Sequence, residues 1–409
     1  MDKFEHVGWS RSANIYEVNI RQYTPEGTLK AFATHLPRLH QMGVDILWLM
    51  PIQPIGKLNR KGTLGSYYAI TDYTAVNPEF GTLKDFKALV HAAHEYGMKV
   101  IIDWVANHTA WDHVWVKQHP DWYLKNELGQ IHSYLYDNGT EIEDWSDVIG
   151  LDYQHTEVWQ AMQEAMLYWV KTTDIDGFRC DVASLLPLKF WQQTRIKLDV
   201  IKPVFMLAES ADPALHAHGF DMTYDWALQE VLKSIAAGQA DARNVKAYLQ
   251  SAQATFPPDA YRMTFTANHD TNSWHAHDDA NFGAAFPAMA VLAATLPGMP
   301  LIYSGQESGL HQRLKFFEKD AIEWQKFQHE KLYTLLLDLK KKHPALHNGI
   351  AGAPVEVFEV ENPQVLAFRR QKGINVVSVQ VNLSAQNQSF NLHGKQRKLG
   401  AWEYQIQTN

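Results

Sequence analysis

The stretch Gly177-Phe178-Arg179-Cys180-Asp181-Val182-Ala183 decides how the chain is read. It is apolar enough to be a buried strand, yet it carries an arginine and a carboxylate two residues apart. Side chains alternate across a strand, so Arg179 and Asp181 share one face while Phe178, Cys180 and Val182 take the other. Burying both charges is costly unless they pair. Such a pair is either a structural ion pair or part of a site. The arginine is expected to keep Asp181 ionised, as a carboxylate nucleophile must be.

Outward from this stretch, short apolar runs alternate with segments of helical period. Strand-like runs precede it at 15–20, 45–50 and 100–105, and follow it near 204–208, 222–226, 261–266 and 299–303. Between them lie helix patterns, among them 28–43, with Leu29, Phe32, Leu36 and Leu39 on one stripe, and 82–97. Eight strands, most followed by a helix, predict an α/β protein built as a parallel (β/α)8 TIM barrel. An open doubly wound sheet shares the alternation, so the polar groups at the strand ends must separate the two. Residues 109–153 hold no sustained period and read as a short loop-rich insertion after strand three. From about residue 350 the runs become short and β-rich (355–360, 364–369, 375–383 and 396–405). The expected division is a barrel over 1–349 and a small antiparallel β-domain over 350–409. Phe282–Gln306 carries no charge, but its prolines and glycines predict helix, turn and strand in place of a membrane span.

Composition narrows the partners. The 409 residues carry a net charge of −8, which offers no positive field for a phosphate backbone, so nucleic acid is excluded as a partner. One cysteine, Cys180, excludes an intrachain disulfide framework and a cysteine-rich zinc module. The start, Met1-Asp2-Lys3-Phe4-Glu5-His6, has no apolar signal core, and a cytoplasmic protein without a membrane anchor is expected. Fourteen tryptophans and 17 tyrosines supply flat amphipathic rings that suit a sugar, with its apolar faces and hydroxylated edges.

Four strand ends concentrate the chemistry, where a barrel places its active site. They read DWVANH at 103–108, GFRCDVA at 177–183, MLAES at 206–210 and FTANHD at 265–270. Glu209 ends an apolar run whose surroundings can keep it protonated as a general acid. Asn268, His269 and Asp270 stand in succession. Three carboxylates and two histidines, His108 and His269, then converge on one face. Two carboxyls with separate roles are what glycosidic cleavage needs. A metal-dependent hydrolase using Asp103, His108, His269 and the pair His275 and His277 is a rival. A barrel that binds glycans without turning them over is another.

Read in order, these motifs resemble the α-amylase family of retaining glycoside hydrolases and transglycosidases. The resemblance extends from Tyr16 through the C-terminal β-domain. It is carried also by GVDILWLMP at 43–51, YAITDYTAVNPEFGTLKDF at 68–86, LDYQHTEV at 151–158 and MPLIYSGQE at 299–307. It implies Asp181 as nucleophile, Glu209 as acid and base, and Asp270 as the carboxylate that steadies the transition state. It further implies Arg179, His108 and His269 as sugar-binding partners and Tyr68 as the stacking ring, with Asp103 and Asn107 as support. The implied substrate is a malto-oligosaccharide or related α-glucan, with hydrolysis preferred over transfer. Val182-Ala183-Ser184-Leu185 lacks the lysine-histidine pair that follows the nucleophile in many amylases. Asn107 matches a calcium-binding position of some relatives, but no acidic set at ligand spacing accompanies it. Neither a metal nor another cofactor is expected.

Overall fold

The structure is a computed structural model that describes residues 4–324 and 326–409. Eight parallel strands, β1 (Ile15–Val18), β2 (Ile46–Leu49), β3 (Lys99–Trp104), β4 (Gly177–Cys180), β5 (Phe205–Ala208), β6 (Met222–Tyr224), β7 (Tyr261–Thr264) and β8 (Met299–Tyr303), close into a barrel. Its order is β1-β8-β7-β6-β5-β4-β3-β2, which excludes the open sheet. Alternation divides the packing into two cores. Ile15, Ile46, Ile101, Leu207, Met222 and Met263 fill the interior, while Val100, Ile102, Phe178 and Met206 pack outward against the helices. Gly177 is required where β4 meets β5: at φ +155° a Cβ there would lie 1.9 Å from the Phe205 carbonyl oxygen.

The helices follow local signals. Helix Leu83–Glu95 begins at a capping box, Thr82 with Asp85, and buries Phe86, Leu89, Val90 and Ala93. The single helix expected over 28–43 is two, Leu29–Ala33 and Leu36–Met42. Pro37 stands in the first turn of the second, where its missing N–H is harmless, and it could not have continued the first. After β5 only the 3-10 turn Pro213–Ala217 occurs in place of a long helix. The uncharged 282–306 stretch forms helix Phe286–Thr295 and then β8. No helix among the described residues is long and apolar enough to cross a membrane.

Two additions depart from the barrel. The insertion is better ordered than its sequence suggests: His108–Ala110, Ile142–Gly150 and Ser133–Asp137 form an antiparallel sheet in that spatial order. Tyr134, Tyr136 and Trp145 gather on it as stacked or tilted rings. The C-terminal part forms an antiparallel sheet of β9 (Val355–Val357), β10 (Val365–Lys372), β11 (Asn375–Asn382) and β14 (Tyr404–Thr408). A hairpin of β12 (Gln388–Leu392) and β13 (Lys395–Leu399) accompanies it. The single run expected at 396–405 is therefore split between β13 and β14, with Trp402 in the left-handed region at φ 55° between them.

Candidate active site

Above the apolar interior, the next inward-facing positions are charged. Register places Asp103 of β3 beside Arg179 of β4, and Arg179 beside Leu207 of β5. Asp181 and Glu209 each follow the last residue of their strand, and Asp270 stands six residues beyond β7. These are the carboxyl ends of the strands.

Arg179 organises the group. Its side chain has no exposure. Nη1 donates to Asp103 Oδ1 at 2.8 Å and to Asp181 Oδ1 at 2.9 Å, and Nε donates to the Tyr224 hydroxyl at 3.1 Å. Nη2 lies 2.7 Å from Glu209 Oε1 but out of line for a hydrogen bond, so that pair is coulombic. The guanidinium also faces the rings of Trp48 and Tyr68, 5.2 and 5.7 Å from their centroids. Asp103 is fully held: its second oxygen accepts from Trp48 Nε1 at 3.1 Å and from the Tyr68 hydroxyl at 3.0 Å.

Burial raises both members of the carboxyl pair. Glu209 is pushed up to about 7, by burial first and with Asp181 and Asp270 adding to it, against the pull of Arg179. Asp181 is pushed up to about 6 by burial, which Arg179 opposes without cancelling. Arg179 pulls Asp181 toward the ionised form, the direction expected from the sequence, while desolvation outweighs that one shared cation and holds the group above the ordinary carboxylate range. Glu209 accepts at Oε2 from the Val182 N–H at 2.8 Å. To aim that donor, Val182 adopts φ 38°, ψ 45°, a left-handed conformation that a β-branched residue rarely takes. The same turn ends β4 at Cys180, so the strand covers only the first four residues of the 177–183 stretch.

The histidines differ. Burial disfavours charge on His269, but Asp270 and Glu17 outweigh it and raise its pKa to about 9. As an imidazolium it donates from both nitrogens. Nδ1 serves Glu17, while Nε2 lies 2.8 Å from the Tyr68 hydroxyl and 3.3 Å from Asp270 Oδ1. His108 is lowered to about 3 by burial and is neutral. Asn107 Nδ2 donates to its Nδ1 at 3.2 Å, which leaves the proton on Nε2. The Tyr68 ring runs nearly parallel to those of His269 and Phe316, with centroids 5.6 and 6.1 Å away.

A cavity of about 950 Å³ opens over this group. It is lined by Tyr68, His108, Asp181, Glu209, His269 and Asp270, with Trp145, Trp226 and Trp274 among its rings. The structure thus brings together every residue expected for the glycosidase site, with Asp103, Asn107 and Arg179 outside the cavity lining. Glu17, Trp48 and Tyr224 were missed, although a lone glutamate in the apolar run Ile15-Tyr16-Glu17-Val18 carries the signal that marks Arg179 and Asp181. At Asn107 the side-chain amide nitrogen donates to His108 Nδ1. Among the described residues no group of three or more His, Cys, Asp or Glu is placed to hold a metal ion. His275 lines the cavity, while His277 stacks edge-on with His311, apart from Asp103.

Fold and rim together define the class: a (β/α)8-barrel protein with a carboxylate-lined site at the carboxyl ends of its strands. The family model described as "Alpha amylase, catalytic domain" matches residues 10–345, and the chain belongs to the α-amylase family. It is similar to the alpha-amylase MalA of Haloarcula japonica, 27% identical over 94% of this chain and 57% of that protein. It is similar also to the alpha-1,4-glucan:maltose-1-phosphate maltosyltransferase of Rhodospirillum rubrum, 28% identical over 90% of this chain and 56% of that one. The chain therefore spans little more than half the length of these two relatives. A crystal structure of an alpha-amylase from Lactobacillus plantarum matches it end to end, with 32% identity, a TM-score of 0.85 and 98% and 99% of the two chains covered.

Proposed function

We propose that the chain is a retaining α-glycosidase that hydrolyses α-glucosidic bonds of malto-oligosaccharides or related α-glucans. The observation that carries this reading is that Asp181 and Glu209 contact two nitrogens of one guanidinium, at 2.9 and 2.7 Å. Contact with one guanidinium confines both carboxyls to a small space, as a retaining pair needs, whose carboxyls stand about 5–5.5 Å apart. The deprotonated Asp181 attacks the anomeric carbon. The bond to the leaving oxygen breaks as Glu209 gives that oxygen its proton. The covalent glycosyl ester is then opened by water, whose proton passes to the Glu209 carboxylate, and the α configuration is restored. Asp270 and the His269 imidazolium hold sugar hydroxyls, and His108 offers its Nε2–H to another. Tyr68 supplies the stacking face.

Transfer to a second sugar uses the same intermediate, and the similarity to a maltosyltransferase keeps it as the second reading. The chemistry needs no cofactor. We take residues 1–349 as the catalytic unit and 350–409 as the appended β-domain. A cytoplasmic setting is part of the reading, supported by a single cysteine that is buried and unpaired. The test is a time course on a panel of α- and β-linked oligosaccharides, read by chromatography and by the anomer first released. Glucose or malto-oligosaccharides released as the α anomer are expected. Products longer than the substrate would favour transfer, and release of the β anomer or no cleavage would overturn the reading.

A further inference from the structure

The cavity ends on one side at a contact the mechanism does not use. Lys61, in the loop at 56–66 that follows β2, reaches across to the insertion. Its Nζ lies 3.3 Å from Asp144 Oδ2 and 3.6 Å from Asp147 Oδ1, and it donates to the Asp144 carbonyl oxygen. The same loop is tied to the loop after β8. The Leu64 N–H donates to the Phe317 carbonyl oxygen at 3.0 Å, and the Thr63 N–H to Glu318 Oε1 at 2.9 Å. Beyond this join lies a second hollow of about 730 Å³, lined by Asn59, Arg60, Trp111 and Ser146. Lys61, Asp144 and Phe317 line both hollows. They form the border, or partition, along which the two hollows meet.

Topology says which end of a glycan meets the partition. In the closed order β4 stands diametrically across from β8, and β5 from β1. Glu209, which protonates the leaving oxygen, follows β5. The cavity wall next to it is made of Val182, Ser184, Leu185, Ser210 and Ala211, from the loops after β4 and β5. The departing sugars lie there. The ring attacked by Asp181 is joined to the rest of its chain at its other end, so that part runs toward the loops after β2 and β8. A row of rings marks the way: Tyr68 on Phe316 at 6.1 Å, then Phe316 to Trp274 at 5.1 Å and to Phe317 at 5.2 Å.

We propose that this partition closes the site on the non-reducing side, so that the enzyme works from chain ends, and that the bridge from Lys61 to Asp144 and Asp147 is its latch. A short, fixed number of sugar rings fits between the nucleophile and the wall, and an internal stretch of polymer has no exit. The inference rests on the glycosidase reading of Asp181 and Glu209. The Asp144 side chain is 76% exposed, so that half of the latch is weak, whereas Asp147 is only 8% exposed.

The test compares free maltoheptaose with a maltoheptaoside blocked at O4 and O6 of its non-reducing ring. The wild type is expected to cleave the free form roughly a hundredfold faster and to release one product size at early times. Lys61→Ala should raise the rate on the blocked form about tenfold and broaden the products, and the surface change Asp144→Asn, which removes only the weaker side-chain contact, should do so about twofold. Their rate on the free form and their thermal midpoint should stay near those of the wild type. Equal cleavage of both forms by the wild type would overturn the proposal. So would an unchanged ratio in both folded variants. If neither form is cleaved by any of the proteins, the glycosidase reading itself falls.

Discussion

Of the arginines buried almost completely, Arg179 in the barrel mouth and Arg370 in β10 have surroundings with nothing in common. Arg179 faces Asp103, Asp181 and Glu209, and these anions hold its charge firmly against burial. Arg370 meets only main-chain oxygens, those of Ala353, Thr295, Leu296 and His347, and burial pushes its pKa down. Thr295 and Leu296 end helix Phe286–Thr295, whose terminal carbonyls carry partial negative charge. Nearby Lys340 does the same work, donating to Gly298 and Leu346. One guanidinium thus partly offsets the cost of charge on neighbouring buried acids. The other staples the C-terminal sheet to the barrel by satisfying carbonyls that water cannot reach. Burial of a cation alone does not mark a site; the partners it keeps do.

The contrast can be broken in several ways. Asp181→Asn removes the nucleophile but keeps the shape, and kcat should fall by at least roughly a thousandfold while the urea midpoint moves little. Next comes the paired test of the two arginines. Arg370→Met leaves several carbonyls unpaired and should destabilise the fold by about 3 kcal/mol in urea titration, with kcat of the folded enzyme unchanged. Arg179→Lys loses the planar fork and should lower kcat roughly a hundredfold, with a smaller loss of stability. The comparison fails if the two variants show the same pattern.

Glu17→Gln sharpens the picture at lower cost. It removes one of the two anions that hold His269 near 9, so the histidine titration seen by NMR should shift downward and kcat should drop about tenfold. Smallest is the effect of pH near the optimum. Asp181 must be charged, so the rate declines as pH falls through about 6, and Glu209 must be protonated, so it declines as pH rises through about 7. These two limbs belong to the pair. A narrow bell in kcat/KM between them is expected, and a broad plateau from pH 4 to 9 would contradict the shared-guanidinium account.

Much of this was readable in the chain itself. All eight barrel strands are legible because a strand buried on both faces is a compact apolar run, and the polar residue that ends it stands out. The split of the 28–43 helix was not legible from the stripe Leu29, Phe32, Leu36 and Leu39, which keeps its phase across the break. The insertion sheet was hidden because its strands are half exposed and rich in Asp, Glu and Ser, with no continuous core face. Asp181, Glu209 and Asp270 announced themselves as acids at strand ends. Trp48 did not, because it reads as one more apolar residue in a strand until the barrel closes and sets its ring N–H against Asp103, and Glu17, though a charge in an apolar run, has its partner His269 far away in the chain.

Val182 bears on how such a barrel can be engineered. Its left-handed backbone costs roughly 1–2 kcal/mol for a branched residue, a cost glycine would not incur. A screen for heat tolerance would therefore favour Val182→Gly. The same change would loosen the peptide whose N–H holds Glu209, so clones selected for survival at high temperature should turn over more slowly at low temperature.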